Sequence, residues 1–328
     1  MVEARVIIVV GASTGGLAAL RVIAAGLPAG LPAAVCVVQH IGAHYSHLPG
    51  LLARETALPV LAAQDGDPIQ AGHIYCAPPD YHLIVGPGHL HLTRGPKENF
   101  ARPAIDPLFR SAAETYGPNA IGVVLTGQLN DGTAGLYEIK RRGGVALVQD
   151  PGEAESREMP LSAIGHVAVD HVIPAASMPI LFGELASRLT GSGLARPTRA
   201  KEAGAMQSQS PRRRPSALTC PECGGALRRS EAGTLVKFDC HIGHVLTAET
   251  MAAGQLNELE KALESALRRM NERAELCRQM AEVARAIGRE RQAGTWELAQ
   301  QEADERVQGV AGMLSEGWTM PLDDSMEG

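Results

Sequence analysis

The chain has 328 residues, 45% of them hydrophobic and 20% charged, which fits one domain of about 200 residues with smaller modules and excludes a disordered protein. A formal net charge of −6 gives no electrostatic case for nucleic acid as the main partner. No stretch approaches the ~20 apolar residues of a membrane helix, so membrane insertion is not expected.

From residue 5 to about 189, short β-branched runs alternate with stretches of helical spacing. Strands are predicted at 6–10, 34–39, 73–77, 122–125, 145–149 and 167–173, with helices over 16–25, 105–116 and 132–142 between them. Near-continuous apolar strands joined through helices predict an α/β domain with a mainly parallel, doubly wound sheet covered on both faces. The segment "YHLIVGPGHLHLTR" alternates around Gly86, Pro87 and Gly88 and predicts an antiparallel hairpin. This first domain is expected to occupy residues 1–189. Residues 190–217 lack an apolar period, are rich in Gly, Pro, Ser and Arg, and read as linker. A small cysteine module follows at 218–246. Apolar residues at a three-to-four spacing then predict a helical hairpin over 247–316, broken near "GRERQAG", before a tail at 317–328. The hairpin is a candidate surface for a signalling-protein partner.

The turn "VVGASTGG" lies between the first strand and the first helix. A dinucleotide-binding turn needs a second glycine where Ser13 stands, and a Walker-type Gly-Lys-Ser/Thr is absent. The stretch matches G-x-S-x-G instead, from Gly11 to Gly15, which between strand and helix is either a tight structural turn or a nucleophile's turn. A serine hydroxyl needs a base, and the base needs an orienting group. His40 follows the second strand in "VVQHIG", and Asp131 follows another in "GVVLTGQLNDGTAG". All three fall at the carboxyl ends of strands, where open α/β sheets place their sites. The chain order Ser–His–Asp differs from the Ser–Asp–His order of α/β-hydrolases, which disfavours an ordinary lipase or esterase.

Together "VVGASTGG", "VVQHIG", "GHIYCAPPDYHL", "ARPAIDPLFRSAAETYG", "GVVLTGQLNDGTAGL" and "VQDPGEAESREMPLSAI" resemble, in order, the catalytic domain of the chemotaxis protein-glutamate methylesterases, CheB. The resemblance covers residues 5–188. It implies a three-layer α/β domain that hydrolyses γ-glutamyl methyl esters on methylated chemoreceptors, some members also deamidating glutamine. Nucleophile, base and orienting acid map onto Ser13, His40 and Asp131, with no cofactor for catalysis. Thr14 and the turn around Gln128 and Leu129 are the candidate sources of oxyanion-stabilising N–H groups. Arg102 is a candidate for contact with an acidic substrate surface or for a structural ion pair with Asp106. Well-known members carry Gly where Leu129 stands, and they carry an N-terminal receiver domain, which this chain is expected to lack because it begins four residues before Arg5. The rival reading is a signalling scaffold that binds receptor-like helices without turnover, for which Ser13→Ala would cost nothing.

"CPECGG" and "FDCHIGH" supply C-x2-C and C-x3-H separated by sixteen residues. Three thiolates and an imidazole on tight turns fit a four-coordinate structural zinc held by Cys220, Cys223, Cys240 and His244, with His241 as the competing fourth ligand. Clustered cysteines also speak for a reducing, cytoplasmic setting. Cys36, Cys76 and Cys277 fall in apolar patterns and read as packing residues.

Overall fold

The computed structural model describes residues 3–40, 46–191, 214–316 and 318. They fall into two compact units that divide at Thr250.

The first unit opens with β1 (Ile7–Ala12), α1 (Gly16–Gly26), β2 (Ala34–Gln39), α2 (Leu48–Leu52), β3 (Val60–Ala62) and β4 (Ile74–Cys76). The hairpin β5 (His82–Val85) and β6 (Leu90–Thr93) precedes α3 (Ile105–Tyr116), β7 (Ala120–Val124), α4 (Thr133–Arg141) and β8 (Val145–Gln149). Then come α5 (Glu158–His166), β9 (His171–Ile173) and α6 (Met178–Gly191). Seven strands form one sheet in the order β3-β4-β2-β1-β7-β8-β9, every neighbouring pair parallel. The β5–β6 hairpin is antiparallel, as its alternating sequence predicts. The chain winds away from β1 in both directions, so the crevice between β1 and β7 is the topological switch point.

Both faces of the central strands are apolar, and the pleat divides them. Ile7 and Val9 pack with Leu108 and Phe109 of α3, Leu136 and Ile139 of α4 and Met159 of α5. Val6, Ile8 and Val10 pack on the other side with Leu20 and Ile23 of α1, Leu52 of α2 and Phe182 and Leu185 of α6. This is the three-layer sandwich expected from continuous apolar strands.

Several elements differ from the sequence reading. The strand expected at 167–173 is confined to His171–Ile173, because Val167 caps α5 and the Asp170 carboxylate instead binds Lys140 and the Ala146 N–H. β3 is a three-residue edge strand with no alternation to betray it. α6 carries Pro179 in its first turn, where the missing N–H is harmless but the helical signal is masked. At the expected linker, α6 runs to Gly191 and the next strand begins at Arg214; residues 192–213 lie outside the described residues.

The ribbon at the end of the first unit is a four-stranded antiparallel sheet of β10 (Arg214–Thr219), β11 (Ala226–Ala232), β12 (Leu235–Cys240) and β13 (Val245–Thr247). The second unit consists of α7 (Ala248–Ala286), whose first turn belongs to the first unit, and α8 (Glu290–Ser315). Gly288 takes a φ of 73° at the turn, and an Arg285–Glu297 ion pair shows that α8 folds back along α7. Ala274, Cys277, Ala281 and Ala284 of α7 and Ala293 and Ala303 of α8 are buried, so small side chains carry this packing. No helix among the described residues is long and apolar enough to cross a membrane.

Candidate active site

β2, β1 and β7 lie side by side and parallel, so their carboxyl ends open on one edge. Ser13 is the first residue beyond β1, and its N–H donates to the Thr126 carbonyl at 3.0 Å. His40 is the first beyond β2, with its N–H on the Ala12 carbonyl at 2.9 Å. The Gln39 amide donates to the carbonyls of Ser13 (2.7 Å) and His40 (3.2 Å), tying the two strand ends together. Gly15 has a φ of 75°, and a Cβ there would stand 2.6 Å from Glu155 Cβ, so this turn requires glycine twice over.

The three polar side chains that the sequence singles out are joined in one chain. Ser13 Oγ lies 3.2 Å from His40 Nδ1, and His40 Nε2 lies 2.8 Å from Asp131 Oδ2. Asp131 is buried and accepts from every side. Oδ2 also takes the Ile105 N–H at 2.7 Å; Oδ1 takes Asn99 Nδ2 at 3.0 Å, the Gly132 N–H at 2.9 Å and the Asp106 N–H at 3.3 Å. Burial alone would raise its pKa, but the His40 hydrogen bond and charge, the Ile105 N–H and the Asn99 amide outweigh it and hold the carboxyl below its ordinary value. An ionised Asp131 accepts, so Nε2 carries the proton and the Nδ1 lone pair faces Ser13. That is the tautomer a base needs.

A second buried carboxylate, Asp106, sits beside the first and takes the Gly135 N–H at 2.6 Å. Burial and the charge of Asp131 push it up to about 7, opposed by the positive charge of Lys237 on β12.

The oxyanion candidates separate. Among the described residues, the N–H groups of Thr14 and Gln128 have no partner. The Leu129 N–H is taken by Glu158 Oε2 at 2.6 Å, which removes Leu129 as a donor. Leu129 itself has a φ of 60°, the left-handed region that favours glycine. Arg102 is also corrected: its guanidinium binds Asp80 Oδ1 at 2.6 and 2.8 Å and the Gly95 carbonyl at 2.9 Å, not Asp106, whose carboxylate takes the Gly135 N–H and the Asn99 amide. Asp80 is shared with Arg94, so Arg102 fastens a loop.

Sequence reasoning missed Asn99, Thr126, Asn130 and Glu158. Thr126 donates to the Thr14 and Ser156 carbonyls and so fixes the serine turn. Gly127 is packed so closely that a Cβ would stand 2.7 Å from Ser13 Cβ and 2.1 Å from Met159 Sδ. Gly127→Ala is therefore expected to displace Ser13 and slow its acylation by roughly 100-fold, since misplacement of about 1 Å has that effect. Labelling by a fluorophosphonate, compared with wild type, is the measurement.

Cys220, Cys223, Cys240 and His244 place their ligand atoms within 4.8 Å of one another. The Cys223–Cys240 sulfurs are 3.7 Å apart, and His244 Nδ1 lies 3.5 Å from Cys240 Sγ and 3.7 Å from Cys220 Sγ. Ligands at the bond lengths of tetrahedral zinc would be about 3.4–3.8 Å apart, so the donor set and its size fit. Two knuckles build it: the Gly224 N–H on the Cys220 carbonyl and the Gly243 N–H on the Cys240 carbonyl, both glycines at positive φ. His241 lies outside the cluster with its ring against Gly225, so the fourth group is His244. Elsewhere, burial pushes the Cys36 thiol up and that of Cys76 up to about 12, as packing residues require. None of the six cysteines is in a disulfide.

A hydrogen-bonded Ser–His–Asp chain at the carboxyl edge of a parallel sheet is the arrangement used for acyl transfer, and it defines the class of α/β protein to which this one is similar. The family model described as CheB methylesterase matches residues 8–181, and the chain belongs to that family. The protein-glutamate methylesterase/protein-glutamine glutaminase 2 of Anaeromyxobacter dehalogenans is 42% identical over 180 residues, 55% of this chain and 53% of that protein. A Leptospira interrogans relative is 40% identical over 177 residues, 53% of this chain and 92% of its own length. The chain thus spans about half the length of the first relative. The crystal structure of the Thermotoga maritima CheB methylesterase catalytic domain superposes with a TM-score of 0.53 at 36% identity, covering 56% of this chain and all of that one.

Proposed function

We propose that the chain is a protein-glutamate methylesterase that acts on methylated chemoreceptor-like proteins and, like its named relatives, also serves as a glutaminase. The observation that carries this reading is the continuous hydrogen-bonded chain from Ser13 Oγ through His40 to buried Asp131. Ser13 Oγ attacks the γ-carbonyl of the methyl ester while His40 Nδ1 takes its proton. The tetrahedral intermediate collapses as His40 returns that proton to the departing methoxide, giving methanol and an acyl-serine. Water, deprotonated by His40, then releases the glutamate carboxyl and Ser13. With a glutamine substrate the same steps release ammonia. The unpartnered Thr14 and Gln128 N–H groups, with the positive end of α1, support the oxyanion.

The four-residue cluster is read as a structural zinc site, since four protein ligands leave no position for substrate or water. The metal would fold the ribbon and take no part in the ester chemistry. The purified protein is expected to carry one zinc ion per chain by elemental analysis, lost in Cys223→Ser. Cysteines clustered with metal-site spacing support a reducing, cytoplasmic setting. Leu276, Val283 and Ile287 of α7 and Leu298 of α8 are exposed, which supports the helical pair as a surface for a signalling partner.

Methanol release from methyl-esterified chemoreceptor membranes tests the function. Release by the folded protein is expected. No release from a protein whose Ser13 reacts with a fluorophosphonate would overturn the receptor substrate while leaving an esterase of another specificity.

A further inference from the structure

The ribbon's last strand and the first turn of α7 reach the surroundings of Asp131. β13 forms a parallel bridge with Glu98 through Val245, whose carbonyl takes the Asn99 N–H at 2.8 Å. Asn99 Oδ1 accepts the Thr247 N–H at 3.2 Å, while its Nδ2 donates to Asp131 Oδ1 at 3.0 Å and to Asp106 Oδ2 at 3.3 Å. The side chain of Asn130, the residue before Asp131, bonds to the end of β13 and the first turn of α7. Its Oδ1 accepts from Thr247 Oγ1 at 2.7 Å and Thr250 Oγ1 at 3.2 Å, and its Nδ2 donates to Glu249 Oε2 at 2.5 Å. Asn99, Asn130, Thr247 and Thr250 are all buried, so water does not compete for these bonds.

The loop that carries Asn99 is conformationally costly. Asn99 (φ 50°) and Phe100 (φ 62°) both occupy the left-handed region between the reciprocal hydrogen bonds of Glu98 and Ala101. Asparagine tolerates that region, but phenylalanine does not favour it, so the surroundings must hold the turn. The Val245 carbonyl and the Thr247 N–H are part of those surroundings. The Asn99 amide in turn stands between two carboxylates. Without it Asp131 loses one of its five donors, and the two carboxylates lose the group that bridges them.

We propose that Asn99 and Asn130 are positioning residues for the Ser13–His40–Asp131 centre, and that residues 245–250 hold both of them, making the docked Cys3His ribbon a working part of the esterase. This rests on the reading of Asp131 as the group that orients His40. The ribbon acts through the acid's hydrogen bonds and not through substrate, so its loss lowers the rate of acylation and leaves binding unchanged.

The test uses the full chain and a fluorophosphonate, which reports Ser13 acylation without a receptor. Asn99→Gly removes the amide and keeps a backbone that glycine adopts freely. The double variant Thr247→Val with Thr250→Val removes the hydroxyls on Asn130 at nearly constant volume, and the corresponding double Ser variant restores them. The saturating inactivation rate should fall roughly 10- to 100-fold in Asn99→Gly and about 10-fold in the double Val variant, the range for hydrogen bonds at a charged group. The half-saturating probe concentration should stay at the wild-type value, and the double Ser variant should label as wild type does. Equal saturating rates across the folded variants would overturn the proposal and leave the esterase reading standing. Wild type that fails to label at Ser13 would overturn both. Circular dichroism establishes folding, and if Asn99→Gly does not fold, the Val and Ser pair still decides.

Discussion

Ser13→Ala is expected to lower ester hydrolysis by roughly 10⁵- to 10⁶-fold, the loss seen when a triad nucleophile is removed. Among the described residues only Ser13 Oγ hydrogen-bonds His40 Nδ1; the neighbouring Thr14 hydroxyl makes no such bond. Alanine at this position keeps the turn, because the Ser13 N–H to Thr126 and carbonyl to Gly16 bonds are backbone. His40→Ala should be nearly as damaging, and the double variant no slower than the worse single one, since residues that act as a unit are not additive. Methanol release measured with the three variants at equal folded concentration gives the answer. A loss below tenfold in Ser13→Ala would mean that the hydroxyl is not the nucleophile.

Asp131→Asn is expected to reduce kcat by about 10⁴-fold with little change in KM, through the tautomer of His40. Asp131 Oδ2 faces two donors, the His40 Nε2–H and the Ile105 N–H, while Oδ1 faces three more. An asparagine NH2 in either place meets a donor. Where it faces His40, Nε2 must become the acceptor, the proton moves to Nδ1, and the lone pair that should take the serine proton is gone. Wild-type KM with unchanged kcat would reject this role.

The same variant has a stability signature. Asp131 has a depressed folded pKa, so its contribution is present above the ordinary carboxylate range and is lost as pH falls through the depressed value. Asp106, raised to about 7, has the opposite sign: stability falls as pH rises from its ordinary value toward neutrality. The substitution would remove the charge that helps raise Asp106 but not its burial. Urea midpoints should therefore depend less on pH in Asp131→Asn than in wild type, at both the acid and the neutral end.

The parallel sheet is legible in the residues alone, because strands such as "VIIVV" and "AVCVVQ" are apolar at nearly every position and can only be buried on both faces. The chain's local pattern goes further. It also placed Ser13, His40 and Asp131 at strand ends, and spacing alone marked Cys220, Cys223 and Cys240, with His244 or His241, as a candidate metal site. Short or proline-bearing elements escaped, since β3 has too few residues for a period and Pro179 interrupts the pattern that α6 continues. Contacts between residues far apart in the chain emerge only from the folded molecule. Leu129 is lost as an oxyanion donor to a carboxylate 29 residues away, and Arg102 goes to Asp80 through a loop that no periodicity records. His244 takes the place His241 could have filled because its ring, and not its neighbour's, points into the cysteine cluster. The ribbon's hold on Asn99 and Asn130 spans more than a hundred residues of chain, and polar side chains in loops carry no local signal of the partner that will bury them.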